Sequence, residues 1–363
     1  MIKGNSLVLR QRLSLATAQQ LARDPAYADL EVLDLWSNRL SPRALAVLLK
    51  QPPPGLRELQ LVDNNLGPEG ASFLAGVLPA LPRLERLNLQ HNQLGVAGLA
   101  QLLGARLDTL RWLGLRENQL GPEGAALLVE RAPPALEALH IGANDLGDAG
   151  MAALAPLLTR LVELSCGDNR LRADAMAAIA GAERLTTLDI ERNLCGPEGA
   201  RALAGTRAAL HNLDMYYNNI GPEGAEALFG GREHPELQRL HLRANQLGDA
   251  GAIAFARGSM PRLEVLNLED NAIGPAGAEA LARSPVLARL TQLHLHSNKF
   301  GAAGVGALIT SPRLPRSTRT EVFKVLQHYI PDEQLAELAA DRGVELRRDR
   351  LETLLAVADA SAP

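Results

Sequence analysis

The sequence predicts an α/β repeat protein in which a short strand and a helix alternate many times and stack side by side. Two observations predict this class. The cassette Leu-x-x-Leu-x-Leu-x-x-Asn-x-Leu recurs eleven times along the chain, and most copies are followed by a glycine-rich turn and a run of Ala and Leu at helical spacing. One strand–helix unit cannot bury both of its apolar faces alone, so neighbouring units must share a continuous core.

One asparagine in each cassette marks the period. These residues are Asn38, Asn64, Asn92, Asn118, Asn144, Asn169, Asn193, Asn218, Asn245, Asn271 and Asn298. The first and the last are 260 residues apart over ten intervals, so the mean period is 26 residues. A buried amide is costly unless it is paired. We therefore predict that these side chains bond to the backbone of their own and of neighbouring coils.

Each unit contains a predicted strand and a predicted helix. Leu59 and Leu61 stand two residues apart, which is typical of a strand with one face pointing inward. The motif Gly-Pro-Glu-Gly then favours a helix start, because Pro at a first helical position needs no hydrogen bond and an early Glu suits the helix dipole. This motif begins at Gly67, Gly121, Gly196 and Gly221.

On these motifs, from about Leu30 to Ile309, the chain resembles the leucine-rich repeat family, in particular its ribonuclease-inhibitor-like subtype. The period lies within the range of about 20–29 residues that is typical of this family. The resemblance implies a right-handed solenoid shaped like a horseshoe, with a parallel β-sheet on the concave face and helices on the convex face. Cys166 and Cys195 occupy apolar positions of the cassette, which predicts buried and inert thiols.

The two ends depart from the repeat. Residues 1–29, with a strand-like Leu7-Val8-Leu9 and a helix from about Thr17 to Ala22, are predicted to be an N-terminal cap. Residues 30–310 contain the eleven leucine-rich repeats. Residues 311–363 predict a tail of three helices, the first beginning with a capping box of Thr318 and Glu321 and the second ending before Gly343. This helical tail is either a C-terminal cap on the last repeat or a small interaction module.

Composition excludes several classes of function. The chain has 37 Lys and Arg against 41 Asp and Glu, and 3% aromatic residues, so it offers neither the charge nor the stacking surfaces for nucleic acid. No apolar run is long enough to span a membrane, and the first residues do not resemble a signal peptide. Two cysteines fit a reducing compartment. We therefore expect a cytoplasmic protein, and the bias toward Ala, Arg, Leu and Gly is typical of bacteria.

No catalytic motif is present. The sequence contains no nucleophile elbow, no phosphate-binding loop with Lys and no dinucleotide fingerprint. His294 and His296 share a strand face, but two ligands do not make a metal site. We predict that the chain is not an enzyme and that it uses no metal and no cofactor.

The non-leucine strand positions should face the concave surface and carry recognition. Large aromatic residues there resemble binding hot spots, although scattered aromatics can also cover apolar neighbours. Arg116 and Arg243 could pair with a partner or with neighbouring acids. The predicted partner-binding residues are Trp36, Trp112, Arg116, Asp189, Glu191, Asp214, Tyr216, Tyr217, His241, Arg243, Glu269, His294 and His296.

The function expected from these features is a non-catalytic scaffold that binds a protein partner on its concave face. No motif identifies that partner or an oligomeric state. The resemblance also brings an alternative, a regulator of a GTPase of the Ran GTPase-activating type, for which Arg116 would be the residue to test. A second alternative is a ligand-sensing adaptor that signals through its helical tail.

Overall fold

The structure is a computed structural model that describes residues 2–10, 12–40, 42–347 and 349–360. The chain forms two compact units, Met1–Leu171 and Arg172–Pro363. In both units, strands of about three residues alternate with helices, as the repeat predicts.

The first unit contains eight strands and six α-helices among the described residues. The strands are β1 Ile2–Lys3, β2 Ser6–Val8, β3 Val32–Asp34, β4 Glu58–Gln60, β5 Arg86–Asn88, β6 Trp112–Gly114, β7 Ala138–His140 and β8 Glu163–Ser165. The helices are α1 Leu15–Leu21, α2 Pro42–Leu48, α3 Gly67–Val77, α4 Gly95–Leu102, α5 Gly121–Arg131 and α6 Gly147–Leu158. Strand β1 is antiparallel to β2, and β2 to β8 then pair in chain order, all parallel.

The second unit continues the alternation and ends in helices. Its strands are β9 Thr187–Asp189, β10 Asn212–Asp214, β11 Arg239–His241, β12 Val265–Asn267 and β13 Gln292–His294, paired in chain order and parallel. The repeat helices are α7 Ala173–Ala180, α8 Gly196–Leu203, α9 Gly221–Phe229, α10 Gly248–Ala256, α11 Pro275–Arg283 and α12 Gly301–Ile309. The tail helices are α13 Arg316–Leu326, α14 Asp332–Asp341 and α15 Arg350–Ala360. The predicted class, a parallel sheet with alternating helices and a helical tail, is confirmed.

The asparagine ladder forms as predicted. The Asn92 amide nitrogen donates to the Leu61 carbonyl of the preceding coil at 2.8 Å and to the Leu89 carbonyl of its own coil at 3.0 Å. Its side-chain oxygen accepts from the backbone N–H groups of Asn64 and Leu66 at 3.1 and 3.3 Å. One buried amide thus satisfies backbone groups on two coils and fixes their spacing.

The predicted helix starts and buried thiols are also confirmed. The four Gly-Pro-Glu-Gly motifs begin α3, α5, α8 and α9, and Gly67 adopts a left-handed φ of +58° that few other residues tolerate. Cys166 and Cys195 are buried and form no disulfide among the described residues, and burial raises the pKa of the Cys195 thiol to about 12. Such a thiol is protonated at neutral pH and therefore unreactive.

The predicted capping box in the tail is wrong. Helix α13 begins at Arg316, with Pro315 at the N-cap position, three residues earlier than a Thr318 cap requires, so Thr318 lies inside its first turn. The Thr318 hydroxyl donates to the Pro315 carbonyl at 2.9 Å, while Glu321 pairs with Lys324 at 2.7 Å. Gly343, with a φ of +65°, follows α14 as predicted.

The tail helices pack within the second unit. The Tyr329 ring, just after α13, lies edge-on to the Phe300 ring of the last repeat with centroids 6.4 Å apart. The buried Arg319 guanidinium pairs with Asp359 at 3.0 Å, which holds α15 against α13. These contacts are consistent with a cap on the last repeat. No helix among the described residues has the length and apolar character needed to cross a membrane.

Candidate functional site

The candidate site is the sheet face opposite the helices, here called the open sheet face. The middle leucine of each strand from β2 to β13 is buried in the core, so the flanking residues point outward. Parallel pairing aligns Asp189 with Asp214, His241 with Asn267, and Asn267 with His294. The predicted column of outward residues therefore exists in this unit as a line of adjacent polar side chains.

Tyr216, Tyr217 and Arg243 contact one another in the second unit. We call this group the tyrosine cluster. The two tyrosine rings lie 6.0 Å apart, and the Arg243 guanidinium sits 5.5 Å from the Tyr216 ring centroid. Tyr217 is 60% exposed. A cation is attracted to an aromatic face, so Arg243 restrains the Tyr216 ring.

Ion pairs extend from the tyrosine cluster along the sheet. Asp214 accepts from the backbone N–H of Tyr216 at 2.9 Å and lies 3.1 Å from His241 Nδ1. That hydrogen bond raises the pKa of His241 above its ordinary 6.5, and the nearby negative charge of Asp214 adds to the effect. Glu269 pairs with Arg243 at 3.4 Å and lies 3.9 Å from His294. The structure thus brings together seven of the predicted residues in one connected patch, namely Tyr216, Tyr217, Arg243, Asp214, His241, Glu269 and His294.

Glu191 and His296 belong to the same unit. Glu191 is half-buried, and its backbone N–H donates to the Asp189 carboxylate at 3.0 Å. His296 is exposed near β13. Among the residues that the structure describes, no three His, Cys, Asp or Glu side chains come together in a way that could hold a metal ion.

Trp112, in the first unit, is buried, whereas the sequence predicted that its side chain would be exposed. Its side chain is only 6% exposed, although it projects from the open sheet face. The indole lies across Gly114, where a β-carbon would come within 2.7 Å of the ring. Arg86 covers the ring at 4.5 Å and His140 packs against it at 4.6 Å. The Trp112 ring therefore lies against the sheet and is covered by its neighbours. It can lie there because Gly114 has no side chain to occupy that space.

His140 in turn forms a hydrogen bond to Glu163, and this bond is the main reason that the pKa of Glu163 is lowered. The Arg116 side chain also lies over a glycine. A β-carbon at Gly142 would lie 2.5 Å from the Arg116 guanidinium. Arg116 reaches Asp168, two repeats along, at 3.3 Å and is 23% exposed. The alternative of pairing with a neighbouring acid is therefore the one seen here.

Trp36 lies nearer the N-terminus of the first unit and is 49% exposed. The Arg10 guanidinium stacks over its ring at 5.2 Å and pairs with Asp34. Trp36 and Tyr217 are therefore the predicted aromatic residues with the most accessible surface.

A second concavity, here called the terminal cleft, was not anticipated from the sequence. It has a volume of about 680 Å³ and lies between β13 and α13. His294 and His296 line one wall, and Glu321, Lys324 and His328 line the other. The strand cassette predicts the first two residues, but only packing of the tail brings the others to face them.

Comparisons with known proteins agree with the repeat. A family model described as leucine-rich repeat matches residues 55–75, 81–103, 133–155, 210–229, 234–256 and 260–282. The NACHT, LRR and PYD domains-containing protein 1a allele 1 of Rattus norvegicus is 46% identical over 77 residues, which is 20% of this chain and 6% of the rat protein. The chain thus matches only a small part of that relative's length.

Solved structures resemble the fold alone. A chain of the yeast Rad7 and Elc1 complex aligns over 75% of this chain and 80% of its own length, at 18% identity and a TM-score of 0.50. An internalin from Listeria monocytogenes aligns over 84% of both chains at 18% identity, with a TM-score of 0.46. Together with the strand–helix register and the asparagine ladder, the family matches identify the repeated units of this chain as leucine-rich repeats.

Proposed function

We propose that the chain is a non-catalytic scaffold whose open sheet face binds a protein partner, with the tyrosine cluster as the main contact. The observation that carries the proposal is the contact of Tyr216 with both Tyr217 and Arg243, in which Tyr217 stays largely exposed. Tyrosine and arginine are enriched at binding hot spots. Tyrosine in particular buries a large area at a small loss of rotamer freedom. We also assign the repeats to the ribonuclease-inhibitor-like subtype, since Gly-Pro-Glu-Gly begins four of their helices.

The surrounding charges support recognition of a polar protein surface. Asp214, Glu269, His241 and Arg243 alternate in sign and already pair with one another. Pairing fixes their geometry, so a partner that matches this pattern of charges would bind without reorganising it. A partner with the opposite pattern would leave charges unpaired, which provides specificity.

The test is the double variant Tyr216→Ala with Tyr217→Ala. Loss of a hot spot of about 2 kcal/mol would weaken partner binding by roughly thirtyfold. Partners would be captured from the native host on the unmodified chain and identified by mass spectrometry, and their dissociation constants would then be measured with purified proteins. Ile253→Ala, a change at an exposed apolar residue of α10 on the helix side, is the matched control.

Circular dichroism separates binding from folding. Both variants should melt near the temperature of the unmodified chain, because neither removes a core residue. If the double variant bound every captured partner as tightly as the Ile253→Ala control, the tyrosine cluster would not be the contact. If it unfolded, the outward placement of these side chains would be wrong.

The two alternatives remain predictions. In the described part of the chain no observation favours GTPase activation over scaffolding, and the Arg116 guanidinium is held by Asp168. A GTP hydrolysis assay with candidate GTPases tests that alternative. Deletion of the helical tail tests the adaptor alternative, since a cap should be needed for solubility while a signalling module should not.

A further inference from the structure

Strand β13 is the last strand of the sheet in the second unit. Backbone N–H and carbonyl groups that pair with the next coil at earlier strands have no such coil to pair with at β13 in the described part of the chain. In the preceding coil, the backbone N–H groups of Leu268 and Asp270 donate to the carbonyls of His294 and His296 at 2.9 and 3.0 Å. The same pair of bonds links the coil before it, from Leu242 and Ala244. The equivalent donors after β13 belong to Leu295 and Ser297, and neither finds an acceptor among the described residues.

A backbone carbonyl on this edge also lacks, in the part of the chain that the structure describes, the hydrogen-bond donor that its equivalent has in the preceding coil. The Glu264 carbonyl accepts from the N–H groups of Thr291 and Gln292 at 2.8 and 3.1 Å. The equivalent carbonyl on the outer edge of β13 is that of Thr291, and it receives no donor within the described chain. Two donors and an acceptor are thus arranged as they would be to receive one more parallel strand.

The terminal cleft lies along this edge. Its volume of about 680 Å³ falls within the range of about 300–1,000 Å³ that is usual for ligand sites. Helix α13 forms the far wall of the cleft, and among the described residues it makes no hydrogen bond to this edge. A sheet edge with unused backbone groups and open space beside it is the setting in which an extended peptide adds to a sheet.

The side chains that line the terminal cleft favour an acidic occupant. His294 and His296 project from the strand side, while Lys324 and His328 project from the helix side. Glu321 is the one carboxylate lining the cleft among the described residues, and Lys324 already neutralises it at 2.7 Å. Glu269 lies 3.9 Å from His294 but also pairs with Arg243. Hydrogen-bond donors therefore outnumber free carboxylates in the cleft.

We propose that the terminal cleft binds an extended acidic peptide segment of a partner protein, which adds to β13 as a further parallel strand. Its backbone would pair with Thr291, Leu295 and Ser297, and its carboxylates would meet the His and Lys side chains. A second copy of this chain fits less well, because two β13 edges brought together would oppose like histidines and lysines. The proposal goes beyond the scaffold function, since it requires only β13 and α13.

The binding experiment uses the full chain and three fluorescein-labelled peptides in an anisotropy titration. The first is an acetylated, amidated peptide of alternating Glu and Val, the second replaces Glu by Lys, and the third is the acidic peptide with alternate backbone nitrogens methylated. We expect the acidic peptide to bind and the other two to bind roughly tenfold more weakly or worse, since they lose ion pairs or backbone hydrogen bonds. Hydrogen exchange at the amides of Leu295 and Ser297 should slow on binding.

The matched variants are Lys324→Glu and Lys299→Glu. Lys324 lines the cleft and Lys299 is an exposed lysine outside it, so the first should weaken binding of the acidic peptide by roughly tenfold and the second should not. His328→Glu serves if Lys324→Glu alters the melting curve. The double variant of Tyr216 and Tyr217 should bind the peptide normally, which separates this site from the tyrosine cluster.

Three results would overturn the proposal. The first is absence of acidic-peptide binding at millimolar concentration. The second is equal binding of the three peptides without protection of Leu295 and Ser297. The third is a dimer, seen by sedimentation, that protects these amides and excludes the peptide, because a second copy would then be the occupant.

Discussion

Asn271→Ala should destabilise the chain far more than the same change at Asn218. The side-chain oxygen of Asn271 is the acceptor for two buried backbone N–H groups, those of Asn245 at 3.0 Å and Leu247 at 3.4 Å. Its removal leaves both donors without a partner in the coil. Each unsatisfied buried donor costs about 1–3 kcal/mol, so we expect the free energy of unfolding to fall by about 2–6 kcal/mol.

Asn218 is the matched control because its side-chain oxygen is buried without a hydrogen-bond partner among the described residues. Its amide nitrogen donates to the carbonyls of Ile190 and Tyr216 at 2.8 and 3.2 Å. Those carbonyls keep other donors, from Asn193 and Arg192 respectively, after the change. Asn218→Ala should therefore cost only about 1 kcal/mol.

Urea unfolding followed by circular dichroism measures both variants, with the slope of the transition checked for constancy. A difference of about 1 kcal/mol or more between the two variants is expected, with Asn271→Ala the less stable. Equal losses would refute the reasoning, because they would show that the buried donors of Asn245 and Leu247 find other acceptors at little cost.

Two further predictions concern the open sheet face. His241 should titrate above pH 6.5, as read from its imidazole C–H signals by NMR, and Asp214→Asn should bring its pKa down. Because folding raises the pKa of His241, its pairing with Asp214 contributes stability that is fully present below about pH 6.5 and is lost as the pH rises through the folded-state pKa. A His241 titration that Asp214→Asn leaves unchanged would contradict this. Gly114→Ala should displace the Trp112 ring, since a β-carbon would lie 2.7 Å from it, and should shift tryptophan emission to longer wavelength; an unchanged spectrum would show that the ring does not lie on this glycine.

Much of the fold can be predicted from the sequence because its determinants are local and repeated. The leucines at Leu59 and Leu61, the amide at Asn64 and the turn at Gly67 lie within nine residues of one another and act within one coil or on the adjacent coil. Each copy of the cassette repeats the same evidence, so the strand register and the buried positions follow without knowledge of distant contacts. Thr318 shows the reverse, since outside the repeat a single capping motif gave the wrong helix start.

The candidate site was predictable in position but not in accessibility. The alternation of strand residues predicted that Trp112 in the first unit and Tyr216 in the second project away from the core leucines of their own coils. It could not tell that Trp112 would be covered while Tyr217 stays exposed, because this depends on the glycine and the charged residues of neighbouring coils. Arg86, which covers Trp112, lies 26 positions away in the sequence on the paired strand.

The sequence by itself determined the repeat, the inward leucines, the asparagine ladder and the start of most helices, since each depends on interactions within a coil or between identical positions of adjacent coils. Only the tertiary structure decided that Arg116 crosses Gly142 to reach Asp168, and that α13 faces β13 across a cleft containing Lys324 and His328. Those arrangements depend on how side chains fill space left by unlike neighbours and on how a non-repeating tail packs, and no periodic pattern encodes either.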